Sequence, residues 1–175
     1  PYGDVWHILR KLVYEKHPYQ WPTIGLELQH VQDATLTDVE NFFYKYYRPN
    51  NAILTISGGI SADNALQLAK KWFGDIPSGE PFNRNIAMEP EQQAAKFQNV
   101  KKDVPVNVIY KAWKMPGRIE PLYYATNLLS DVLGLGESSR LQHALKKETK
   151  LFTDIAAYIT GSIDTGMFII TGKLA

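Results

Sequence analysis

The chain has 175 residues, of which 45% are hydrophobic and 21% charged, and its length allows one large globular domain or one and a half smaller ones. A formal net charge of +1 gives no electrostatic reason to expect nucleic acid or an anionic membrane surface as a partner. The absence of cysteine excludes disulfides, thiolate zinc sites and a cysteine nucleophile, and no apolar run approaches the roughly 20 residues that span a bilayer.

Two amphipathic helices are predicted in the first 50 residues. Apolar side chains recur at helical spacing over residues 4–15, and the proline of His17-Pro18 breaks regular structure after them. The second helix is predicted to begin at Thr37, whose hydroxyl would form a capping box with Glu40 three residues later. Pro49 stops this helix, because proline cannot continue it.

A strand, a third helix and a linker follow in the sequence. Residues 51–57 predict a strand because they are rich in branched apolar residues and are closed by Gly58-Gly59. Residues 61–73 carry an apolar stripe at helical spacing, and Gly74 is a typical helix end. Residues 75–96 mix prolines and glycines with polar residues and show no period, so they predict a linker.

The remainder of the chain predicts a second unit of helices and strands. A strand is expected over residues 104–113, helices over 121–133 and 138–147, and strands over 152–160 and 167–173. The last two strands are joined through Asp164-Thr165-Gly166, a sequence typical of a hairpin turn. Without further information, these elements predict a soluble α/β protein.

No segment carries a recognisable catalytic or metal-binding motif. None of the four histidines stands in an H-x-x-E-H or H-E-x-x-H pair, which would bring two zinc ligands together on one helical face. Glu27 and His30 have the E-x-x-H spacing of di-iron bundles, but such a site needs a second copy, so an ordinary exposed pair is the favoured interpretation.

Gly134-Leu135-Gly136 follows a predicted helix rather than a strand, which favours a helix end over a phosphate loop. A Ser/His/Asp site stays open, because triads are assembled in space.

Several short segments carry more information through their order and spacing than each does alone. They are Pro1-Tyr2-Gly3, His17-Pro18-Tyr19, Thr23-Ile24-Gly25, Tyr47 to Ala52, Gly58-Gly59, Trp72 to Pro77, Val132-Leu133-Gly134 and Ser139-Arg140-Leu141. Together they resemble the insulinase/pitrilysin family of zinc metallopeptidases over nearly the whole chain. The resemblance implies an α+β fragment of two insulinase-like (metalloenzyme LuxS/peptidase-like) modules, with antiparallel-rich sheets packed against helices.

The resemblance also implies where zinc would bind in a longer parent protein. The family holds zinc through an inverted H-x-x-E-H motif and a downstream glutamate, and both are expected before Pro1. Because the chain opens at Pro1 rather than at methionine, we expect it to be a fragment. The helix LYYATNLLSDVL, which resembles the histidine-bearing helix of the zinc module in position, contains neither histidine nor glutamate. We therefore expect no cofactor in this fragment and zinc in the parent.

The domain boundaries implied by the family are residues 1–76 for the end of the zinc-type module, 77–97 for a linker and 98–175 for the start of a second module without zinc. Active family members use an arginine and a tyrosine of a later module to hold the substrate and polarise the scissile carbonyl. The matching positions here are Lys146 and Thr153. Lysine lacks the planar fork of arginine, and threonine is shorter than tyrosine, so these two are only candidate substrate-binding residues.

The fragment is expected to be part of a zinc-dependent endopeptidase that hydrolyses peptides in a closed chamber. It would form the scaffold and chamber region of that enzyme. Catalytic and metal-ligating residues are expected to be absent from the fragment itself. The expected partners are peptide substrates and a homologous subunit that carries the arginine and tyrosine. The alternative is a structural or assembly subunit of the same family. We expect the bacterial periplasm or cell envelope rather than the cytoplasm.

Overall fold

The computed structural model describes residues 2–175 and divides them into two compact units. The sheet unit consists of the residues up to Thr23 together with Ile86–Ala175, and the helical unit consists of Ile24–Asn85. The α+β class predicted from the sequence is confirmed by the mixture of helices and antiparallel strands. No helix among residues 2–175 is long and apolar enough to cross a membrane.

Three antiparallel strands form the centre of the sheet unit. They are β1 (Val108–Met115), β2 (Phe152–Ile159) and β3 (Gly166–Leu174), and their order in the sheet is β1-β3-β2. The strands predicted at residues 152–160 and 167–173 are confirmed as the hairpin β2–β3. The strand predicted at 104–113 begins four residues later and ends two residues later than expected. A register shift between Phe152 and Asp154 interrupts the pairing of β2 with β3.

One face of the sheet is covered by helix α1 (Val5–Val13), which the apolar spacing of residues 4–15 predicted. Leu9 and Val13 of this helix are buried together with Met167 and Ile169 of β3. Tyr14, the residue that ends the helix, is buried in the same cluster. Removing such apolar side chains from water is the main favourable contribution to packing, so this cluster fixes α1 on the sheet.

The opposite face carries two further elements of the sheet unit. They are α5 (Tyr123–Gly134) and a π-helix (Gln142–Glu148), and both contact β2. Gly134 is required where α5 meets the strand, because a Cβ there would lie 2.0 Å from the main-chain nitrogen of Ala157. The helix predicted over 138–147 is present from Arg140, and from Gln142 onward it is a π-helix. The π-helix ends before Lys150, and the positive φ of Lys150, 53°, reverses the chain toward β2.

The helical unit contains the short helix α2 (Leu28–Asp33), α3 (Leu36–Tyr46) and α4 (Ala62–Phe73). Thr35 caps α3 and forms a reciprocal capping box with Asp38, so the predicted box between Thr37 and Glu40 is two residues out of register. Sequence spacing alone fits both boxes, since Thr35-x-x-Asp38 and Thr37-x-x-Glu40 follow the same pattern.

The strand predicted over residues 51–57 is absent from the described part of the chain. Pro49–Asn51 forms a 3₁₀ turn, and residues 52–57 are extended without a ladder partner. Ile53 is 96% exposed, which is not the state of a strand inside a sheet. A strand requires a neighbour to accept its hydrogen bonds, and no described segment provides one here.

The stretch from residue 77 to 107 has no helix or strand, in agreement with the predicted linker character of residues 75–96. Its second half nevertheless forms polar contacts with the residues that flank α1, which are described below. The boundaries 1–76, 77–97 and 98–175 stay a prediction, since they follow family modules, whereas the compact units group α1 with the three strands.

Candidate functional site

Lys146 and Thr153, the two candidate substrate-binding residues, both lie in the sheet unit and both contact local partners. Lys146 belongs to the π-helix, and its Nζ lies 3.5 Å from Oε1 of Glu137. Thr153 lies at the register shift of β2, and its hydroxyl donates to the carbonyl of Lys173 over 3.3 Å. Neither contact resembles a preorganised pair of donors aimed at one point. Their role in substrate binding stays a prediction.

A buried carboxylate forms the densest polar arrangement of the sheet unit. The side chain of Glu89 is completely buried, and it accepts hydrogen bonds from three successive main-chain N–H groups, those of Glu15, Lys16 and His17, at 2.9, 3.0 and 2.9 Å. The ammonium of Lys114 on β1 completes the arrangement at 2.7 Å. Every bond to Glu89 is thus a charge-assisted one, the stronger kind of hydrogen bond in proteins.

The electrostatic state of Glu89 follows from these contacts. Burial alone raises the pKa of a carboxyl, but the Lys114 ammonium and the three N–H donors outweigh it and lower the pKa of Glu89 to about 2. Glu89 is therefore ionised at neutral pH and is not poised to exchange a proton there. A general acid or base needs a pKa near the working pH, so this arrangement is suited to holding chain segments together.

His17 is the second buried polar residue at this end of α1, with 2% of its surface exposed. Its Nδ1 accepts the main-chain N–H of Tyr19 over 3.1 Å, which assigns the ring proton to Nε2. That nitrogen lies 3.2 Å from Oδ2 of Asp164, in the turn between β2 and β3. Because both ring nitrogens are engaged, His17 cannot take a proton from a serine hydroxyl as a triad histidine does.

Sequence reasoning missed Glu89 and Lys114 as a pair. They are 25 residues apart, one in an irregular stretch and the other on a strand, and no local spacing connects them. The one available signal is the run Ile86-Ala87-Met88, whose apolar character just before Glu89 is unusual for a solvated linker. The His17-Pro18-Tyr19 segment carries part of the family resemblance, which does not indicate the contacts of His17.

The remaining histidines do not form a metal centre. His7, His30 and His143 are exposed, and Nδ1 of His143 lies 3.2 Å from Oε1 of Glu148. Among residues 2–175, no three histidine or carboxylate side chains are grouped closely enough to hold a metal ion. Tetrahedral zinc needs at least three protein ligands. The residues described here therefore do not fit zinc, and no catalytic step can be assigned to a metal held by them.

Comparison with known proteins identifies the family. Residues 33–175 match the family model described as "Peptidase M16 inactive domain". The chain belongs to the M16 peptidase family. This result confirms the insulinase-like resemblance. The chain comprises a non-catalytic scaffold region of the family's zinc-protease-like proteins.

Individual M16 relatives cover the chain almost completely. It is 28% identical to "Zinc protease PqqE" of Helicobacter pylori over 97% of its own length and 38% of that protein. It is 22% identical to the "Probable mitochondrial-processing peptidase subunit beta" of Schizosaccharomyces pombe over 95% of its length and 39% of that protein. A crystal structure of a protease from Helicobacter pylori superposes with a TM-score of 0.84 at 28% identity, covering 100% of this chain and 43% of that one. The chain thus spans about two fifths of each of these relatives.

Proposed function

We propose that this M16 chain is the scaffold and substrate-chamber part of a zinc-dependent endopeptidase. The scaffold role is supported by the buried ionisable groups of the chain, which are paired with one another. Glu89 is bound by Lys114, and His17 lies against Asp164. Similarity to a zinc protease over 97% of the chain supports the peptidase activity of the whole protein. The zinc, when bound by a longer parent, would activate water and polarise the peptide carbonyl.

A homologous partner subunit is part of the same proposal. Lys146 lies near Glu137, and Thr153 donates to a main-chain carbonyl, so the proposal assigns the oxyanion donors to a partner rather than to these two residues. Loss of one such donor costs about 3–4 kcal/mol of transition-state stabilisation. A partner that carries an arginine and a tyrosine would restore these donors. The name of the Schizosaccharomyces pombe relative, a "subunit beta", supports a divided organisation.

The competing function is that of a structural or assembly subunit without peptidase activity. Pairing of the buried ionisable groups is equally compatible with this function. The segment before Pro1 in the natural protein discriminates between the two. An intact H-x-x-E-H motif followed by a glutamate supports the peptidase, and replacement of those residues supports the structural subunit.

The test of the proposed function uses the full-length protein. It is purified with zinc and assayed against a panel of unstructured peptides, first alone and then with the candidate partner. We expect slow turnover alone and a large increase with the partner. Full turnover by the isolated protein, unchanged in Lys146→Ala and Thr153→Ala, would contradict the partner requirement. Lys147→Ala is the matched control, since Lys147 contacts the same Glu137 carboxylate.

The region itself is expected to bind no zinc. Residues 1–175 expressed separately, dialysed against zinc and then washed, should retain less than a stoichiometric amount by metal analysis. One tightly bound zinc per chain would overturn the assignment of the metal to the parent. A surface histidine tag must be removed first, because histidines bind zinc by themselves.

A further inference from the structure

The segment from Glu89 to Val106, here called the strap, has no helix or strand, yet it contacts the residues that flank α1 at four successive positions. The order is antiparallel, since the start of the strap meets the end of α1 and the end of the strap meets its beginning. The contacts are Glu89 with the N–H groups of Glu15 to His17, Lys96 with Glu15, Lys102 with Asp4, and Val106 with the hydroxyl of Tyr2.

The four contacts differ sharply in burial. Lys96 and Glu15 form an exposed ion pair at 2.5 Å, and Lys102 and Asp4 form another, so water and salt weaken both. Glu89 is the exception, because its side chain is fully buried, although two of the N–H groups that bind it belong to exposed residues. Breaking a buried pair by removing one partner leaves an uncompensated charge or donor, which is far more costly than the loss of an exposed pair.

Other contacts of the same end of α1 depend on the geometry that Glu89 fixes. The N–H groups of residues 15–17 point at the carboxylate, and this orients His17 toward Asp164. The hydroxyl of Tyr14 donates to the carbonyl of Thr165 over 3.0 Å. Both contacts reach the β2–β3 turn from the end of α1, so one carboxylate organises the strap, the helix end and the turn.

We propose that Glu89 is a latch that holds the strap and α1 on the sheet as one cooperative unit, which opens while β1, β2 and β3 stay paired. The three strands are held independently by their ladders and by a second core of Met115, Ala157 and Phe168 on the opposite face. Opening would uncover Met167 and Ile169, which α1 now covers. Local units of this kind open at a lower free energy than the whole domain.

The test is amide hydrogen exchange on the full-length protein, read by mass spectrometry. In the wild-type protein, peptides from α1 and from residues 15–17 should share one protection level, lower than that of β3. Glu89→Gln should accelerate exchange in both regions by about tenfold or more, because the neutral amide cannot replace the charge-assisted bonds. Peptides from β3 should change less than about threefold.

Lys96→Ala is the matched control, since it removes an exposed strap contact and leaves the latch intact. It should leave all protection levels near those of the wild type. Equal acceleration of α1 and β3 in Glu89→Gln would show a global effect and overturn the latch. Should Glu89→Gln fail to fold, the wild-type measurement still decides the matter. Protection of α1 equal to that of β3 contradicts the proposal, and a lower shared level supports it.

Discussion

Lys150 is the one residue other than glycine with a positive φ among residues 2–175, at 53°. Left-handed backbone crowds the Cβ atom against the carbonyl, at a cost of about 1–2 kcal/mol that glycine avoids. Glycine also has more conformational freedom in the unfolded chain, and ordering it lowers the free energy of unfolding by roughly 0.5–1 kcal/mol. We expect Lys150→Gly to raise the free energy of unfolding by about 0.5–1 kcal/mol in urea denaturation. Lys150→Ala keeps the Cβ and should be neutral, so equal stabilisation by both would contradict this explanation.

Glu89 gives a second prediction at the residue scale, which concerns the pH dependence of the free energy of unfolding. Its folded-state pKa of about 2 lies below the usual 4.5, so its contribution to stability is complete above pH 4.5 and is lost as pH falls toward 2. Glutamine resembles the protonated carboxyl in shape and charge. The difference in unfolding free energy between wild type and Glu89→Gln should therefore be largest at neutral pH and shrink as pH approaches 2. A difference that stays constant with pH would show that the Glu89 charge is not responsible.

At the scale of elements, the start of α3 offers a direct comparison of two candidate caps. Thr35 accepts from the N–H of Asp38, whereas Thr37 lies inside the first turn. Replacing a capping threonine by alanine typically costs about 1 kcal/mol. We expect Thr35→Ala to destabilise the helical unit by about that amount, and Thr37→Ala to change it by less than about 0.5 kcal/mol. The reverse ranking in thermal unfolding would restore the capping box expected from the sequence.

Local pattern predicted the elements whose partners lie nearby in the chain. The β2–β3 hairpin was predicted because both strands and their turn stand within 25 residues. Residues 51–57 have a strand-like composition, but pairing requires a neighbour, and composition does not reveal whether one is present. The capping register of Thr35 and the π-helix depend on packing around them rather than on residue type. The contact between Glu89 and Lys114 depends on the tertiary fold, so it cannot be predicted from the spacing of nearby residues.

At the scale of the whole molecule, the sequence predicts that proteases cut first between Gly79 and Ala95. The contacts of the strap restrict the expected first cut to the residues before Glu89. Between Lys71 and Lys96 the only tryptic site is Arg84, which lies before the latch and beside the boundary between the compact units after Asn85. We expect brief trypsin treatment to cleave after Arg84 before Lys96, because Arg84 is exposed in the irregular stretch before the strap, whereas the chain around Lys96 follows the buried anchor at Glu89. Fragment masses identify the order, and a first cut within residues 121–147 would contradict it.

The open apolar faces of α3 and α4 have a practical consequence for colloidal behaviour. Neither helix has a buried residue, and Phe42 and Trp72 are 57% and 68% exposed. Large apolar side chains exposed in this way favour association between molecules. A preparation limited to these 175 residues should therefore scatter light increasingly with concentration and enhance the fluorescence of an apolar dye. Charged substitutions such as Phe42→Glu and Trp72→Lys should suppress both effects, which makes them useful when this region is produced separately.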